Sequence, residues 1–325
     1  MCTAVLTDSD FYGGNFNLFG RTLDLEYSLS ESLIFIGRKY KLKFLYQPPI
    51  SAHFAILGRG IVKSGYPLLY DAQNERGLAT AALNFPDFAY YQKSGKTKCR
   101  VAAHEFILFI LSRCASLKSA RELLCGLSLA AADFSADLKS TPLHFMIADK
   151  SGAITVEPTR DGLKIHENPY GVLTNSPPFL FHKYNLSSYA QLGRGVPKNN
   201  IAPKLELKRY SRGMGAIGLP GDFSSASRFV RAFFVKSAAD PAKSREEAIM
   251  RHFHILDSVS VPRGCVLTDE NKSVFTVYSS LSDLDEFTYY FVTYGERKIR
   301  FLKPCERDIS SSELAVFSDS DCTVL

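Results

Sequence analysis

Met1-Cys2-Thr3-Ala4-Val5-Leu6 opens the chain. A small residue in second place permits removal of the initiator, and Cys2 then carries both a thiol and a free α-amine. An α-amine titrates near ~8 and a thiol near ~8.5, so both lie within tuning distance of neutral pH. Nucleophile and base would then share one residue, without a separate histidine. Taken alone, a cysteine at this position is an ordinary buried or surface residue. The segments downstream change that.

Past Leu6, Tyr12-Gly13-Gly14-Asn15 supplies turn chemistry and residues 16–20 return, so the chain should begin with a β-hairpin. Phe19-Gly20-Arg21-Thr22-Leu23-Asp24 follows. Arg21 and Asp24 can fold back beside Cys2, where a guanidinium would favour the thiolate and a carboxylate could hold the α-amine. A weak surface ion pair is the alternative. Leu83-Asn84-Phe85-Pro86 and Leu173-Thr174-Asn175-Ser176-Pro177 each offer an amide or a main-chain N–H where a strand stops. Two such donors would make an oxyanion hole; ordinary turns have the same composition. Gly218-Leu219-Pro220-Gly221-Asp222-Phe223-Ser224 leads into a helix whose first turns carry Ser and Arg228. Its glycines match neither a dinucleotide nor a P-loop spacing.

Composition narrows the class. With 325 residues, 46% hydrophobic and 22% charged, the chain can bury a sizeable core as an ordinary soluble globule. Its longest apolar stretch, around 105–111, has the length of a core helix and not of a membrane span. There is no basic segment followed by an apolar one at the start, so a signal peptide is not expected and the cytoplasm is. The net charge of +6 is scattered, and the mild cluster at 204–209 reads as a solvated face, so no nucleic-acid partner is expected. Seven cysteines, none in CxxC or with zinc spacing, fit a reducing compartment and no metal. Cys114 and Cys125 read as small core residues. The histidines suggest no competing site: His252 and His254 are two apart on one helix, and His144 lies among apolar strand residues.

Strand patterns also occur at 33–36, 54–57, 77–84, 143–148, 153–156, 163–165, 273–279, 287–293 and 298–302. Helices fit 100–115, 119–127, 224–235 (capped by Asp222) and 242–256. Alternating blocks of strands and helix pairs predict an α+β fold with antiparallel sheets. Nothing divides the chain, so a single domain over 1–325 is expected, with 310–325 as a flexible tail.

The ordered set formed by Met-Cys-Thr at the start, Gly20-Arg21-Thr22-Leu23-Asp24, Leu83-Asn84-Phe85-Pro86, Leu173-Thr174-Asn175-Ser176-Pro177 and the 218–228 segment resembles the choloylglycine hydrolase family, from Cys2 to about residue 300. That family holds bile salt hydrolases and penicillin V acylases. The resemblance implies the N-terminal nucleophile hydrolase fold, a four-layer αββα sandwich, and hydrolysis of a linear C–N amide without a cofactor. It places the nucleophile on Cys2, the arginine beside it on Arg21 and the amine-orienting aspartate on Asp24. Asn84, Asn175 and Arg228 fall on the remaining family positions. The first hairpin looks longer than the family's, with Gly13-Gly14 at its tip. Asn84 stands where penicillin V acylases often carry tyrosine, which resembles the bile-salt branch and implies a conjugated bile acid as substrate. Penicillin V or N-acyl-homoserine-lactone acylase is the alternative activity; a silent binder of amphipathic acids is a third, disfavoured by the intact residue set.

A steroid needs a wide apolar cleft. Leu23, Leu25, Ile61 and Phe134, taken as loop residues, are candidates for its lining, or are plain core residues. Ser211-Arg212-Gly213 resembles bile salt hydrolases that favour taurine conjugates, and the always-charged fork of Arg212 suits a sulfonate. A solvated loop charge is the other reading of Arg212. Relatives are commonly homotetramers, so the resemblance also implies a homo-oligomer.

Overall fold

Cys2–Thr7 (β1) and Leu18–Leu25 (β2) pair antiparallel, with Cys2 opposite Leu23 and Ala4 opposite Arg21. The computed structural model describes residues 1–8, 16–92 and 99–325. The hairpin tip at Gly13-Gly14, with its expected lengthening, lies outside the described residues. The first sheet runs in the order Val172–Leu173 (β12), β1, β2, Ser273–Asp283 (β14), Thr288–Thr293 (β15), Arg300–Leu302 (β16) and Thr323–Val324 (β18), with Val266–Leu267 (β13) also on β14. The second runs Gly162–Glu167 (β11), Gly152–Thr159 (β10), Leu143–Asp149 (β9), Ala79–Asn84 (β6), Tyr66–Asn74 (β5), Ile56–Lys63 (β4), Ser32–Ile36 (β3) and Leu314–Phe317 (β17). Every pairing in both sheets is antiparallel. Cys99–Ala102 (β7) and Leu127–Ala130 (β8) form a small parallel pair.

Period-2 alternation decides the layering. On β9, Met146 and Ala148 enter the core that contains β1 and β2, while Phe145 and Ile147 enter a second core on the opposite face. The helices Phe106–Arg113 (α1) and Leu117–Leu124 (α2) cover that second face. Phe179–Leu186 (α3), Ser225–Ala238 (α4) and Arg245–Asp257 (α5) contribute to the first core, whose members include Phe179, Phe229 and Phe253. A sheet buried on both faces needs a layer on each, and the result is the αββα sandwich expected. No helix among the described residues is long and apolar enough to cross a membrane.

Several local expectations are corrected. The 100–115 segment is not all helix: Cys99–Ala102 is a strand, and the Glu105 carboxylate, accepting from the Leu45 and Ala102 N–H groups, holds the turn into α1. Ser224, not Asp222, caps α4 by accepting from Ser227 N; Asp222 accepts from Ser224 N at 2.9 Å and from Ser227 Oγ at 2.6 Å. Cys114 is buried but Cys125 is exposed. The 310–325 segment is no loose tail, because β17 pairs with β3, β18 pairs with β16, and Cys322 between them is buried. It also contains a 3-10 turn at Asp319–Asp321 and follows the short helix Glu306–Ile309 (α6).

Gly20 shows why the 19–24 segment begins with the smallest residue. A Cβ there would come within 2.5 Å of the Ser280 carbonyl and 2.6 Å of His252 Nε2 on α5. His252 is fully buried, and its Nδ1 lies 3.0 Å from Thr7 Oγ1. Burial, then the positive charges of Arg251 and Lys236, push its pKa down to about 3. An unfolded histidine takes up its proton near ~6.5, so the folded state binds fewer protons than the unfolded one between there and about 3. Stability is therefore lost as pH falls through that window, by about 1.4 kcal/mol per pH unit from this group. In urea titrations at pH 7, 6 and 5, His252→Gln should flatten the acid slope; a slope identical to that of the parent protein refutes the assignment.

Candidate active site

Cys2 is 3% exposed at the start of β1 and lines a cavity of about 250 Å³. Arg21 is fully buried on β2 and donates from NH2 to Cys2 Sγ at 2.8 Å. Its other N–H groups donate to the Thr22 and Tyr70 carbonyls at 3.1 and 3.2 Å. Burial opposes the charge of Arg21, but Cys2, Tyr278, Asp71 and Asp24 outweigh it and hold the guanidinium well above its ordinary pKa. The guanidinium thus sets a fixed positive charge directly against the Cys2 sulfur.

Asp24 is fully buried at the end of the same strand. Its main chain clasps Met1: the Met1 amine donates to the Asp24 carbonyl at 2.7 Å, and Asp24 N–H to the Met1 carbonyl at 3.0 Å. The Asp24 carboxylate accepts from Thr276 Oγ1 at 2.7 Å and from Thr22 Oγ1 at 3.4 Å.

Asn175 closes the opposite side. Its Oδ1 accepts from Cys2 N–H at 2.7 Å and from Arg228 NH2 at 2.8 Å, while Nδ2 donates to the Asn84 carbonyl at 2.7 Å. Two donors on one atom and an acceptor on the other fix the orientation of this amide. One Nδ2 hydrogen remains available. Arg228, fully buried in the first turn of α4, also donates from NH1 to the Cys2 carbonyl and Thr3 Oγ1, both at 2.6 Å. Burial lowers the pKa of Arg228, with Asp24 and Cys2 pulling the other way. All six expected residues thus lie in one connected neighbourhood.

The cavity lining includes Leu23, Leu25, Ile61 and Phe134, the four apolar candidates, together with Asn84. Three of those four were misplaced in loops: Leu23 and Leu25 stand on β2 and Ile61 on β4, and Phe134 alone lies outside a strand or helix. The rest of the wall is five leucines and Ala82, with Tyr70, His104, Lys139, Ser140 and Thr141 as its polar members. Arg212 is exposed and does not line this cavity. A larger cavity, of about 480 Å³ between α3 and α4, contains none of the expected residues. Among the described residues no cluster of three His, Cys, Asp or Glu is placed to hold a metal ion.

Sequence inspection missed Asp71. This buried carboxylate on β5 lies 3.5 Å from Arg21 NH1 and accepts from Tyr278 at 2.6 Å, from Ser280 at 2.8 Å and from Tyr289. It is the counter-charge behind the Arg21 guanidinium. No motif flags it, because its partners come from strands some two hundred residues away.

Comparison with known proteins shows the family and the fold. The sequence model of the choloylglycine hydrolase family, described as linear amide C–N hydrolases, matches residues 2–317. A bile salt hydrolase/transferase of Lactiplantibacillus plantarum is 38% identical over 314 residues, covering 97% of this chain and 95% of that protein. A bile salt hydrolase/transferase of Clostridium perfringens is 34% identical over 321 residues, with coverages of 98% and 96%. Among solved structures, a mutant of the conjugated bile acid hydrolase from Clostridium perfringens aligns with a TM-score of 0.87 at 33% identity, covering 98% of this chain and 97% of that one. The penicillin V acylase from Agrobacterium tumefaciens aligns with a TM-score of 0.76 at 22% identity over 97% of this chain and 90% of its own, a likeness of fold. Matched along nearly its whole length, the chain belongs to the choloylglycine hydrolase family and is a hydrolase of linear C–N amides.

Proposed function

We propose that this chain hydrolyses the amide bond of glycine- or taurine-conjugated bile acids with Cys2, freed of Met1, as the nucleophile. The observation that carries this is the Arg21–Cys2 contact of 2.8 Å at the wall of a largely apolar cavity. A rigid apolar acyl group suits that lining. Relatives named for bile salts, alike over nearly their full length, support the same substrate class.

In the proposed reaction the Cys2 sulfur attacks the amide carbonyl. The Cys2 α-amine, which inherits the contact with Asn175 Oδ1, takes the thiol proton and passes it to the departing glycine or taurine nitrogen. The free hydrogen of Asn175 Nδ2 and the Asn84 main-chain N–H bind the oxyanion. Water then cleaves the thioester, with the α-amine as base. Arg21 places its positive charge against the reacting sulfur, and Asp24 and Arg228 hold the N-terminal residue from either side. The bile acid occupies the cavity against Leu23, Leu25, Ile61 and Phe134. No cofactor takes part. The enzyme works in the cytoplasm as a homotetramer.

Released amine decides the substrate. With intact mass establishing that Met1 is absent, ninhydrin should detect glycine or taurine from conjugated bile salts, and little 6-aminopenicillanate from penicillin V. The reverse pattern would transfer the same chemistry to a penicillin V acylase. A taurine preference rests on Arg212 and its loop sequence. Arg212→Ala should lower kcat/KM for taurocholate about tenfold relative to glycocholate, the scale of one charged hydrogen bond. An unchanged ratio removes the preference.

A further inference from the structure

Behind Asn175 lies a buried pair that the proposed reaction does not use. His144, in β9, is fully buried, and Glu157, on the neighbouring β10, is 1% exposed. His144 Nδ1 is 3.3 Å from Glu157 Oε1, and its Nε2 is 2.8 Å from the Thr174 carbonyl. The ring lies flat on Phe85, with centroids 4.3 Å apart and planes 7° from parallel. The imidazole therefore touches both loops of the site, the one carrying Asn84 and the one carrying Asn175. Those loops end strands of different sheets.

The partners fix the hydrogens. A neutral imidazole has one N–H and one lone pair. A main-chain carbonyl and a carboxylate can only accept, so a neutral ring would set a lone pair against one of them. Glu157 is held in its ionised form. Burial pushes its pKa up, but hydrogen bonds from His144 and His166 and from the Phe179 N–H outweigh this and bring it to about 2. His182 shows the contrast. Its Nε2 lies 2.9 Å from the Asn175 carbonyl, its Nδ1 has no partner, and burial lowers its pKa, so one hydrogen suffices there.

We propose that His144 is an imidazolium, anchored by Glu157, that positions the Asn84 and Asn175 loops relative to each other. Each of its ring nitrogens carries a hydrogen, one given to Glu157 and one to Thr174. Among the described residues, the other titratable groups facing this pair are His166, 3.6 Å from Glu157, and His182. Asn175 Nδ2 ties the loops directly at the Asn84 carbonyl, and His144 braces them from below. The catalytic half of the proposal rests on Asn84 and Asn175 serving as oxyanion donors; the protonation of the ring does not.

The test uses the full processed chain, labelled with 15N-histidine. Long-range proton–nitrogen spectra at pH 7 should contain one ring with hydrogens on both nitrogens, assigned by nuclear Overhauser contacts to Phe85. A single protonated nitrogen overturns the proposal. In Glu157→Gln, and independently in Phe85→Leu, kcat for the conjugated bile salt should fall roughly 10- to 100-fold, the scale on which a misplaced donor acts. KM and the rate of Cys2 alkylation by iodoacetamide should stay within about twofold, because neither the cavity wall nor the thiol is touched. Glu157→Asp should recover part of kcat. Parental kcat in a folded variant of either kind also overturns the positioning role. Failure of the parent protein to release any amine would instead refute the proposed function and leave the spectrum to decide the protonation.

Discussion

Cys2→Ala should abolish amide hydrolysis, with kcat reduced by roughly 10⁴-fold or more, as for loss of other catalytic nucleophiles. The side chain lost is small, and its sulfur has one strong contact, from Arg21 NH2. Stability should therefore fall by only about 1–3 kcal/mol, the cost of leaving a buried donor without its acceptor. Circular dichroism and a denaturant titration check the fold, and released glycine or taurine checks turnover. Measurable hydrolysis by a folded, mass-verified alanine variant would remove the mechanism. Retained Met1 should have a similar effect in the parent protein, because its peptide bond takes away the amine proposed as base.

The second large effect is expected at Arg228. Its guanidinium joins β1, the Asn175 loop and the start of α4 through charged hydrogen bonds, including one to the Phe223 carbonyl at 3.0 Å. Arg228→Ala leaves the Cys2 carbonyl and Thr3 Oγ1 without that donor, and Asn175 Oδ1 with Cys2 N–H alone. A loss of roughly 3 kcal/mol in stability follows from the worth of such bonds. Turnover should fall at least ~100-fold, since the amide that faces the substrate is no longer held from behind. Lysine cannot substitute, because one ammonium does not span four separated acceptors. Parallel measurement of kcat/KM and unfolding free energy settles the matter; values near those of the parent enzyme for both would show that Arg228 is dispensable.

The gathering of the six candidate site residues was legible in the sequence because they sit where local signals are strong. Cys2, Arg21 and Asp24 share one hairpin, and Asn84, at the end of β6, and Asn175, just past β12, each stand two residues before a proline. The layer arrangement was legible for the same reason: strands buried on both faces are nearly continuous apolar runs. What could not be read was set by distance along the chain. Asp71 gains its role from Tyr278, Ser280 and Tyr289, and His144 from Glu157 and Thr174, contacts that only sheet order creates. Tyr66–Asn74 lacked a clean alternation and Phe179–Leu186 a helical stripe, so β5 and α3 went unseen. Leu23, Leu25 and Ile61 were correctly gathered at the cavity but given to loops, because facing a pocket and facing a core look alike in sequence.

The two last strands give the C-terminus an unexpected office. β17 ends the order of one sheet and β18 that of the other, so the final residues cover the rims of β3 and β16. Bare strand rims recruit other polypeptides into sticky, growing assemblies. Trimming this end during protein engineering would strip both guards at once, and the damage would surface as clumping rather than as altered chemistry.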